Sequence, residues 1–136
     1  MTGSTVIPCL RYRDAKRMIN WLCEAFGFRS QAVYEDASGG VAHAQLTLAS
    51  GMIMLGSQRD NDLFSQLQST PSALGGTTQS PYLVVADADA VYHSAVVAGA
   101  EIVIEIKDED YGGRGFSCRD PEGHLWNVGT YDPWKK

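Results

Sequence analysis

The strongest constraint on the fold is that one pattern of elements occurs twice along the chain. Asp14 begins the first pattern and Asp87 begins the second, and aspartate is a favoured N-cap residue of α-helices. After each aspartate, apolar residues recur three and four positions apart, which indicates a helix with one apolar face. They are Ala15, Met18, Ile19, Leu22 and Cys23 in the first pattern and Ala88, Val91, Tyr92, Ala95 and Val96 in the second. A strand precedes each helix and three strands follow it, so the sequence predicts an internal duplication of a βαβββ unit.

This duplication predicts an α+β fold in which two tandem βαβββ units form a curved, partly closed mixed sheet. A helix covers only one face of each sheet, so the other face needs cover. Two units side by side would curve around a concave ligand cavity. The length of 136 residues fits one compact domain. We expect a single domain at 1–136, with a first unit at 5–57, a connecting loop at 58–79 and a second unit at 80–131.

Three segments carry more specific expectations. The strand at 5–12 should lie at a sheet edge, because Pro8 has no backbone N–H to donate. The strand at 52–55 is apolar on both faces, so we expect it to be buried on both. The connection at 58–79 is polar, and connections of this length are usually functional lids or linkers.

A tight turn near the C-terminus is the clearest local signal. Asp120, Pro121, Glu122 and Gly123 suit successive positions of a β-turn, with strand-like segments on both sides. In the strand that follows, alternation places Asn127 on the face opposite to that of Trp126. The glycine-rich loop at 108–115 precedes this hairpin and could approach a ligand closely. We therefore expect the hairpin to form one wall of a small-molecule cavity.

Composition argues against several classes of partner. The net charge is −5 and no cluster of Lys or Arg follows a face, so we expect no nucleic-acid partner. The 3 cysteines are widely spaced and form no CxxC pair, which suits free thiols in a reducing cytosol. No apolar run approaches membrane-spanning length and no signal segment begins the sequence. We therefore expect a cytoplasmic protein without a membrane partner.

Together with the duplication and the hairpin, several stretches of sequence resemble those of a known superfamily. They are Ile7-Pro-Cys-Leu-Arg-Tyr-Arg-Asp14, Leu22-Cys-Glu-Ala-Phe-Gly-Phe28 and Gly113-Arg-Gly-Phe-Ser-Cys-Arg-Asp-Pro-Glu-Gly-His-Leu-Trp126. The chain resembles, over nearly its whole length, the glyoxalase / bleomycin-resistance / extradiol-dioxygenase superfamily, also called vicinal oxygen chelate proteins. The resemblance implies a homodimer, because paired chains of this family commonly build their cavities between them.

The resemblance also implies where a metal ion would be bound. In metal-dependent members, side chains from the first, fourth, fifth and eighth strands converge on one ion. The matching positions here are Ile7, Met54, Pro81 (or Ser80) and Asn127. None offers the imidazole or carboxylate that divalent ions prefer. We therefore expect no metal and no cofactor. The sequence offers no nucleophile paired with a base either, so we predict no catalytic residue.

Binding asks less of a site than catalysis does, since a pocket needs apolar walls and a few polar groups. The predicted ligand-binding residues are Ile7, Cys9, Met54, Phe64, Tyr111 and Phe116 for the walls and His43, Gln45, Arg114 and Asn127 for polar contacts. Structural readings compete with these roles. Cys9 could be a small core residue, and His43 and Gln45 could simply face solvent on a polar strand face.

The resemblance then implies a metal-independent, bleomycin-resistance-like protein that sequesters an antibiotic or another bulky, partly aromatic natural product. Two alternatives remain open. One is a lyase, isomerase or dioxygenase with a displaced metal site that involves His43. The other is an accessory ligand-binding protein of a biosynthetic pathway.

Overall fold

A computed structural model describes residues 3–60 and 62–135. The described elements are β1 (Cys9–Tyr12), α1 (Ala15–Phe26), β2 (Arg29–Glu35), β3 (Val41–Leu48), β4 (Gly51–Ser57), α2 (Leu63–Leu67), α3 (Pro71–Leu74), β5 (Tyr82–Val84), α4 (Ala88–Val97), β6 (Glu101–Asp108), β7 (Arg114–Arg119) and β8 (Leu125–Gly129). The predicted α+β fold with two tandem βαβββ units is confirmed. Two short helices, α2 and α3, lie in the connection between the units.

The two units share one strand order. The first sheet runs β1-β4-β3-β2 and the second runs β5-β8-β7-β6. In each sheet the first and last strands of the unit pair in parallel, and the remaining pairs are antiparallel. The two four-stranded sheets do not close into one barrel. β1 and β5 are therefore edge strands, as Pro8 led us to expect for β1.

Local chemistry fixes the ends of the first unit's elements. The Asp14 side chain accepts a hydrogen bond from the Arg17 N–H at 3.2 Å and caps α1. Gly27 ends this helix at φ 86°, in the left-handed region that favours glycine. β1 begins at Cys9, later than predicted, because Pro8 cannot donate to the ladder. The Pro8 carbonyl still accepts a hydrogen bond from the Met54 N–H at 2.9 Å.

The second unit repeats these devices with small differences. Asp87 caps α4 by accepting a hydrogen bond from the Ala90 N–H at 3.1 Å. The apolar face of α4 packs less completely than predicted, because its residue Val96 is 48% exposed. Part of the segment predicted as a loop at 108–115 belongs to strands, since β6 extends through Asp108 and β7 begins at Arg114.

The predicted turn joins β7 to β8. The Asp120 carboxylate accepts hydrogen bonds from the N–H groups of Glu122 and His124, at 3.0 and 3.1 Å. Gly123 donates its N–H to the Asp120 carbonyl at 2.9 Å and adopts φ 94°. An aspartate at the first position and a glycine at the last position therefore build the turn as the sequence indicates.

One core joins both units. The helix-facing sides of the sheets pack on α1 and α4, and Trp126 is fully buried between them. Its ring lies 5.2 Å from that of Phe26 and 5.9 Å from that of Phe28. β4 is buried on one face alone, because Ile53 and Leu55 face the core while Met52 and Met54 stay partly exposed. The expectation of two buried faces for this strand was wrong. None of the helices in the described ranges has the length and hydrophobicity to cross a membrane.

Candidate ligand-binding site

The face of the first sheet that points away from the helices is partly exposed. We call it the first open face; it carries Cys9, His43, Gln45, Met52 and Met54. Cys9 and Gln45 both pair with Met54, so these three predicted residues form one row across β1, β4 and β3. Ile7 is half-buried and lies just before β1. Alternation along the strands thus brings together residues that are far apart in the sequence.

His43 lies beside this row in a polar environment. One ring nitrogen is 2.9 Å from the Gln45 Oε1, and the Gln45 amide donates to the Gln31 Oε1 at 2.6 Å. The imidazole stacks on the ring of Tyr34 at a centroid distance of 6.2 Å. Chained hydrogen bonds fix the orientation of both side chains.

Phe64 lies on α2 and is 46% exposed. Its ring lies against the guanidinium of Arg11, with 5.2 Å between the Arg11 Cζ and the ring centroid. Arg11 was not among the predicted site residues. A charged residue in a short edge strand gives no local signal that a segment of the connection will cover it.

The second sheet carries a cavity of about 330 Å³ on its face away from the helices. Three tyrosines line it, Tyr82, Tyr111 and Tyr131, and the cavity also contacts Arg114, Asn127 and a group of glycines. The rings of Tyr111 and Tyr131 pack edge to face at 5.0 Å. The Tyr82 hydroxyl donates a hydrogen bond to the Tyr131 carbonyl at 2.8 Å. Aromatic walls and a few polar groups are typical of ligand pockets.

Two acidic residues hold the Arg114 guanidinium, and one of them, Asp89, belongs to α4 on the helix side of the second sheet. The guanidinium contacts the carboxylates of Asp89 at 3.1 Å and Asp108 at 3.3 Å. The hydrogen bonds that the guanidinium donates to Asp89 and then to Asp108 raise the pKa of Arg114 above its usual value. Both ion pairs are solvent-exposed, so they orient the side chain more than they stabilise the fold.

The Asn127 amide is already engaged on both sides. Its Oδ1 accepts the Ser117 hydroxyl at 2.7 Å, and its Nδ2 donates to the Ser80 hydroxyl at 2.8 Å and the Pro81 carbonyl at 3.2 Å. The fifth-strand and eighth-strand positions therefore meet in space. The contact is made by the Asn127 amide with the Ser80 hydroxyl and the Pro81 carbonyl.

Phe116 is the predicted site residue whose ring belongs to the core. It is 3% exposed, and the ring packs edge to face on Tyr92 at 5.0 Å. Phe116 pairs with Val128, a fully buried neighbour, so both side chains point toward the helices. Strand alternation relative to Trp126 was the signal for this placement.

The predicted site residues thus fall into two groups. Ile7, Cys9, His43, Gln45, Met54 and Phe64 belong to the first unit and its connection. Tyr111, Arg114, Phe116 and Asn127 belong to the second unit and line its cavity, although the side chains of Arg114 and Phe116 contact α4. Tyr82 and Tyr131 complete that cavity but were not predicted. They lie near the two ends of the second unit in sequence, and they meet because Tyr131 follows β8, which pairs with β5.

A second cavity, of about 670 Å³, lies where the connection passes the edge of β1. Pro8, Cys9, Leu67, Leu74 and Pro81 contribute to its walls, along with His124 from the last hairpin. The predicted residue Cys9 therefore borders this cavity as well as the first open face.

The donor chemistry at the implied metal positions does not fit a metal ion. Ile7, Met54 and Pro81 offer no side-chain nitrogen or carboxylate, and the Asn127 amide is engaged by neighbours. Among residues 3–60 and 62–135, no three His, Cys, Asp or Glu side chains group closely enough to hold a metal ion.

Several known proteins are similar to this chain in sequence and in architecture. The family model described as "Glyoxalase/Bleomycin resistance protein/Dioxygenase superfamily" matches residues 5–128. An uncharacterized protein of Mycobacterium bovis is 32% identical over 126 residues, covering 90% of this chain and 80% of the relative. The crystal structure of TioX from Micromonospora sp. ML1 is 31% identical, with a TM-score of 0.72 and coverage of 93% of this chain and 98% of TioX.

The fosfomycin resistance protein FosX from Mesorhizobium loti shares the fold at lower identity. It is 16% identical, with a TM-score of 0.65 and coverage of 98% of this chain and 96% of FosX. At that identity the likeness extends to the fold alone. The family match over most of the chain, and the relatives above 30% identity, establish membership. The chain belongs to the glyoxalase / bleomycin resistance protein / dioxygenase superfamily.

Proposed function

We propose that this protein is a metal-independent small-molecule binding protein that sequesters an antibiotic or another bulky, partly aromatic natural product. The observation that carries the proposal is the cavity of about 330 Å³ lined by Tyr82, Tyr111 and Tyr131. A cavity of this size lies within the usual range for ligand pockets. The donor set at the family's metal positions supports binding over metal-assisted chemistry, because three of the four side chains lack the nitrogen or carboxylate ligands that Zn²⁺, Ni²⁺ and Fe²⁺ prefer.

Several features suit this cavity to a planar ring. Tyr111 and Tyr131 already pack edge to face, and each aromatic contact with a ligand adds about 0.5–1.5 kcal/mol beyond burial. The Tyr82 ring is held in position by its hydrogen bond to the Tyr131 carbonyl. Arg114 also lines the cavity, but Asp89 of α4 and Asp108 hold its guanidinium, so the aromatic walls supply the main contacts for the ligand.

The first open face supports a larger ligand than one cavity holds. Met54 and Cys9 offer soft apolar contacts, and His43 and Gln45 offer hydrogen-bonding groups. We propose that the protein forms a homodimer that covers these faces. β1 and β5 each pair on one side only, and unpaired edges usually receive cover. Light scattering coupled to size-exclusion chromatography should then give twice the chain mass.

The direct test is a ligand screen by thermal shift and native mass spectrometry, run with and without a chelator. A ligand at a hundred times its dissociation constant should add about 2.7 kcal/mol to the free energy of unfolding, and the chelator should not change that gain. Stabilisation by Ni²⁺, Zn²⁺ or Fe²⁺ without any effect of natural products would contradict the proposal. Turnover that chelation abolishes would instead support the enzyme with a displaced metal site.

A variant locates the binding site within the molecule. Tyr111→Ala removes one aromatic wall, so the dissociation constant of a ligand found in the screen should rise by about two- to tenfold. Trp134→Ala is the matched control, because Trp134 is 91% exposed and does not line the cavity. Isothermal titration calorimetry gives both constants. Equal losses in the two variants would show that the ligand binds elsewhere.

A further inference from the structure

The Arg11 side chain occupies an unusual place on the ligand-binding side of the first sheet. It follows Cys9 by two residues in β1, so alternation puts both on the same face. Its strand partner is Gly56, where a Cβ atom would come within 3.0 Å of the Arg11 Nη1. The absence of a side chain at Gly56 lets the guanidinium lie flat on β4. The Arg11 side chain is nevertheless only 8% exposed.

The cover over Arg11 comes mainly from α2 and its N-cap residue. Arg11 Nη2 donates to the Asp62 Oδ2 at 2.8 Å, the Ser65 Oγ at 2.7 Å and the Ser57 carbonyl at 2.9 Å. The Phe64 ring lies against the guanidinium, 5.2 Å from its central carbon. The carboxylate of Asp62 and the ring of Phe64, both from the connection, therefore contact the guanidinium at the same time.

Polar contacts and the Phe64 ring hold α2 in place, because its two leucines point outward. Ser65 is its buried residue, whereas Leu63 and Leu67 are 70% and 77% exposed. Moving such a segment exposes little new apolar surface, so its displacement costs less than that of an ordinary packed helix.

The hydrogen bonding around Arg11 is incomplete. Among the described residues, the buried side-chain atoms without a hydrogen-bond partner are Arg11 Nε, Arg59 Nε, Asp36 Oδ2 and Gln58 Oε1. All belong to this one cluster: Arg59 contacts both Asp36 and Asp62, and Gln58 donates to the Ser65 carbonyl. Buried groups normally find partners, and an anion can accept hydrogen bonds from the two guanidinium N–H groups among these atoms.

The charge of the cluster limits which ligand group can displace the Asp62 carboxylate from Arg11. Its carboxylate is shared by Arg11 and Arg59, at 2.8 and 3.4 Å. If a neutral ligand group displaced the Asp62 carboxylate, the two guanidinium groups would have Asp36 as their acidic neighbour in the cluster. An uncompensated buried charge is strongly unfavourable. An anionic group restores the balance, and a planar carboxylate can accept two N–H groups of the guanidinium fork.

From these contacts we infer that Arg11 is an anion-binding subsite for the ligand, which Asp62 and Phe64 fill when no ligand is bound. The ligand class is an aromatic acid, or a larger natural product that carries a carboxylate next to a ring. Its acid group displaces the Asp62 carboxylate and its ring replaces that of Phe64, so α2 moves off the first open face. This inference rests on the proposed ligand-binding function and narrows its ligand to an acid.

The test vacates the subsite and offers it a small acid. Asp62→Ser keeps a residue that can cap α2 but is too short to reach Arg11 as the aspartate does. Benzoate should bind this variant about tenfold or more tightly than the wild type, because the competing carboxylate is gone. Benzamide has the same shape without the charge, and its affinity for the wild type and for Asp62→Ser should be the same. Calorimetry and thermal shift at constant ionic strength report both.

Two further variants keep the outcome interpretable. Asp60→Ser removes an exposed acidic neighbour, and it should leave benzoate affinity at the wild-type value. Arg11→Lys in the Asp62→Ser protein keeps the charge but removes the guanidinium fork, and it should abolish most of the gain. Equal benzoate affinity in wild type and Asp62→Ser, or an equal gain for benzamide, would overturn the inference.

The outcome is separate from that of the ligand screen. Loss of the benzoate effect with intact natural-product binding at the tyrosine cavity removes the anion subsite and leaves the proposed function standing. Benzoate binding at Arg11 without any natural-product ligand supports the subsite and counts against the proposed function.

Discussion

Asp120 is a buried carboxylate that ties the last hairpin to the first strand. It is 4% exposed, and its Oδ2 accepts hydrogen bonds from the Tyr12 hydroxyl at 2.6 Å and the Trp126 indole at 3.0 Å. Its Oδ1 accepts the N–H groups of Glu122 and His124. Four donors thus satisfy the carboxylate, which offsets the unfavourable burial of its charge.

Tyr12→Phe should destabilise the protein by about 1–3 kcal/mol, because it removes one of these donors and leaves the buried carboxylate short of a partner. Tyr34→Phe is the control, since Tyr34 is 60% exposed. Urea denaturation at neutral pH gives both free energies of unfolding. Similar values for the two variants would mean that the Tyr12–Asp120 contact contributes nothing.

The same contact gives an alkaline signature. Burial, and then the charge and hydrogen bond of Asp120, raise the pKa of Tyr12 well above its usual range. The folded protein therefore holds this proton more tightly than the unfolded chain does. The contribution is complete below the unfolded pKa of about 10 and is lost as the pH rises beyond it. The stability gap between wild type and Tyr12→Phe should therefore narrow above about pH 10.

At the scale of elements, β8 contributes a glycine, Gly129, to the wall of the cavity that Tyr82, Tyr111 and Tyr131 line. A Cβ atom on Gly129 would stand 2.7 Å from the Tyr82 hydroxyl and 3.3 Å from its Cε1. The missing side chain leaves the room in which the Tyr82 ring lies and donates to the Tyr131 carbonyl. A glycine in β8 therefore positions a side chain of β5, the neighbouring strand.

Gly129→Ala should displace Tyr82, weaken ligand binding at the cavity and destabilise the protein by about 1–3 kcal/mol through overpacking. Adding Tyr82→Phe removes the hydroxyl that clashes, so the double variant should lose less stability than the sum of the single variants. Gly76→Ala is the control, because a Cβ there meets no atom within 4 Å. Additive losses in the double variant would argue against the Gly129–Tyr82 contact.

Elements with local signals were predictable from sequence. Asp14 and Gly27 mark the ends of α1 through a side-chain cap and a left-handed residue, and Asp120 and Gly123 mark the hairpin in the same way. These devices act within a few residues, so the sequence alone reveals them.

The candidate site was less predictable because its contacts are not local. Arg11 meets Asp62 across 51 positions and Tyr82 meets Tyr131 across 49. Neither pairing follows from periodicity, since each depends on how a connection folds back or on which strands become neighbours. Phe116 could have been placed correctly, because its alternation with Gly115 and Ser117 assigns its ring to the helix side of β7.

At the scale of the whole molecule, the two units are joined on two sides. Between the helices, the Trp21 indole donates to the Ala98 carbonyl and the Ser94 hydroxyl to the Ala25 carbonyl, both at 2.7 Å. At the hairpin, His124 contacts the Arg11 carbonyl at 2.9 Å. The buried core is continuous across both units. We therefore expect them to unfold together rather than as independent bodies.

Glu122 tests this coupling, because one carboxylate from the second unit holds the start of α1 in the first. Its oxygens accept the N–H groups of Arg13 at 2.6 Å and Asp14 at 2.7 Å. Glu122→Ala should lower the free energy of unfolding by about 1–2 kcal/mol, less than for fully buried charged hydrogen bonds because these are solvent-exposed. Glu105→Ala, at an exposed position, should change it little.

Urea denaturation followed by tryptophan fluorescence and by far-UV circular dichroism measures the effect. Trp21 and Trp126 are buried in different units, so the fluorescence reports on both. A single coincident transition, shifted to lower urea in Glu122→Ala, is expected if the contact couples the units. Two separated transitions in the wild type would mean that the units unfold independently, and the ligand face of each would then have to be considered on its own.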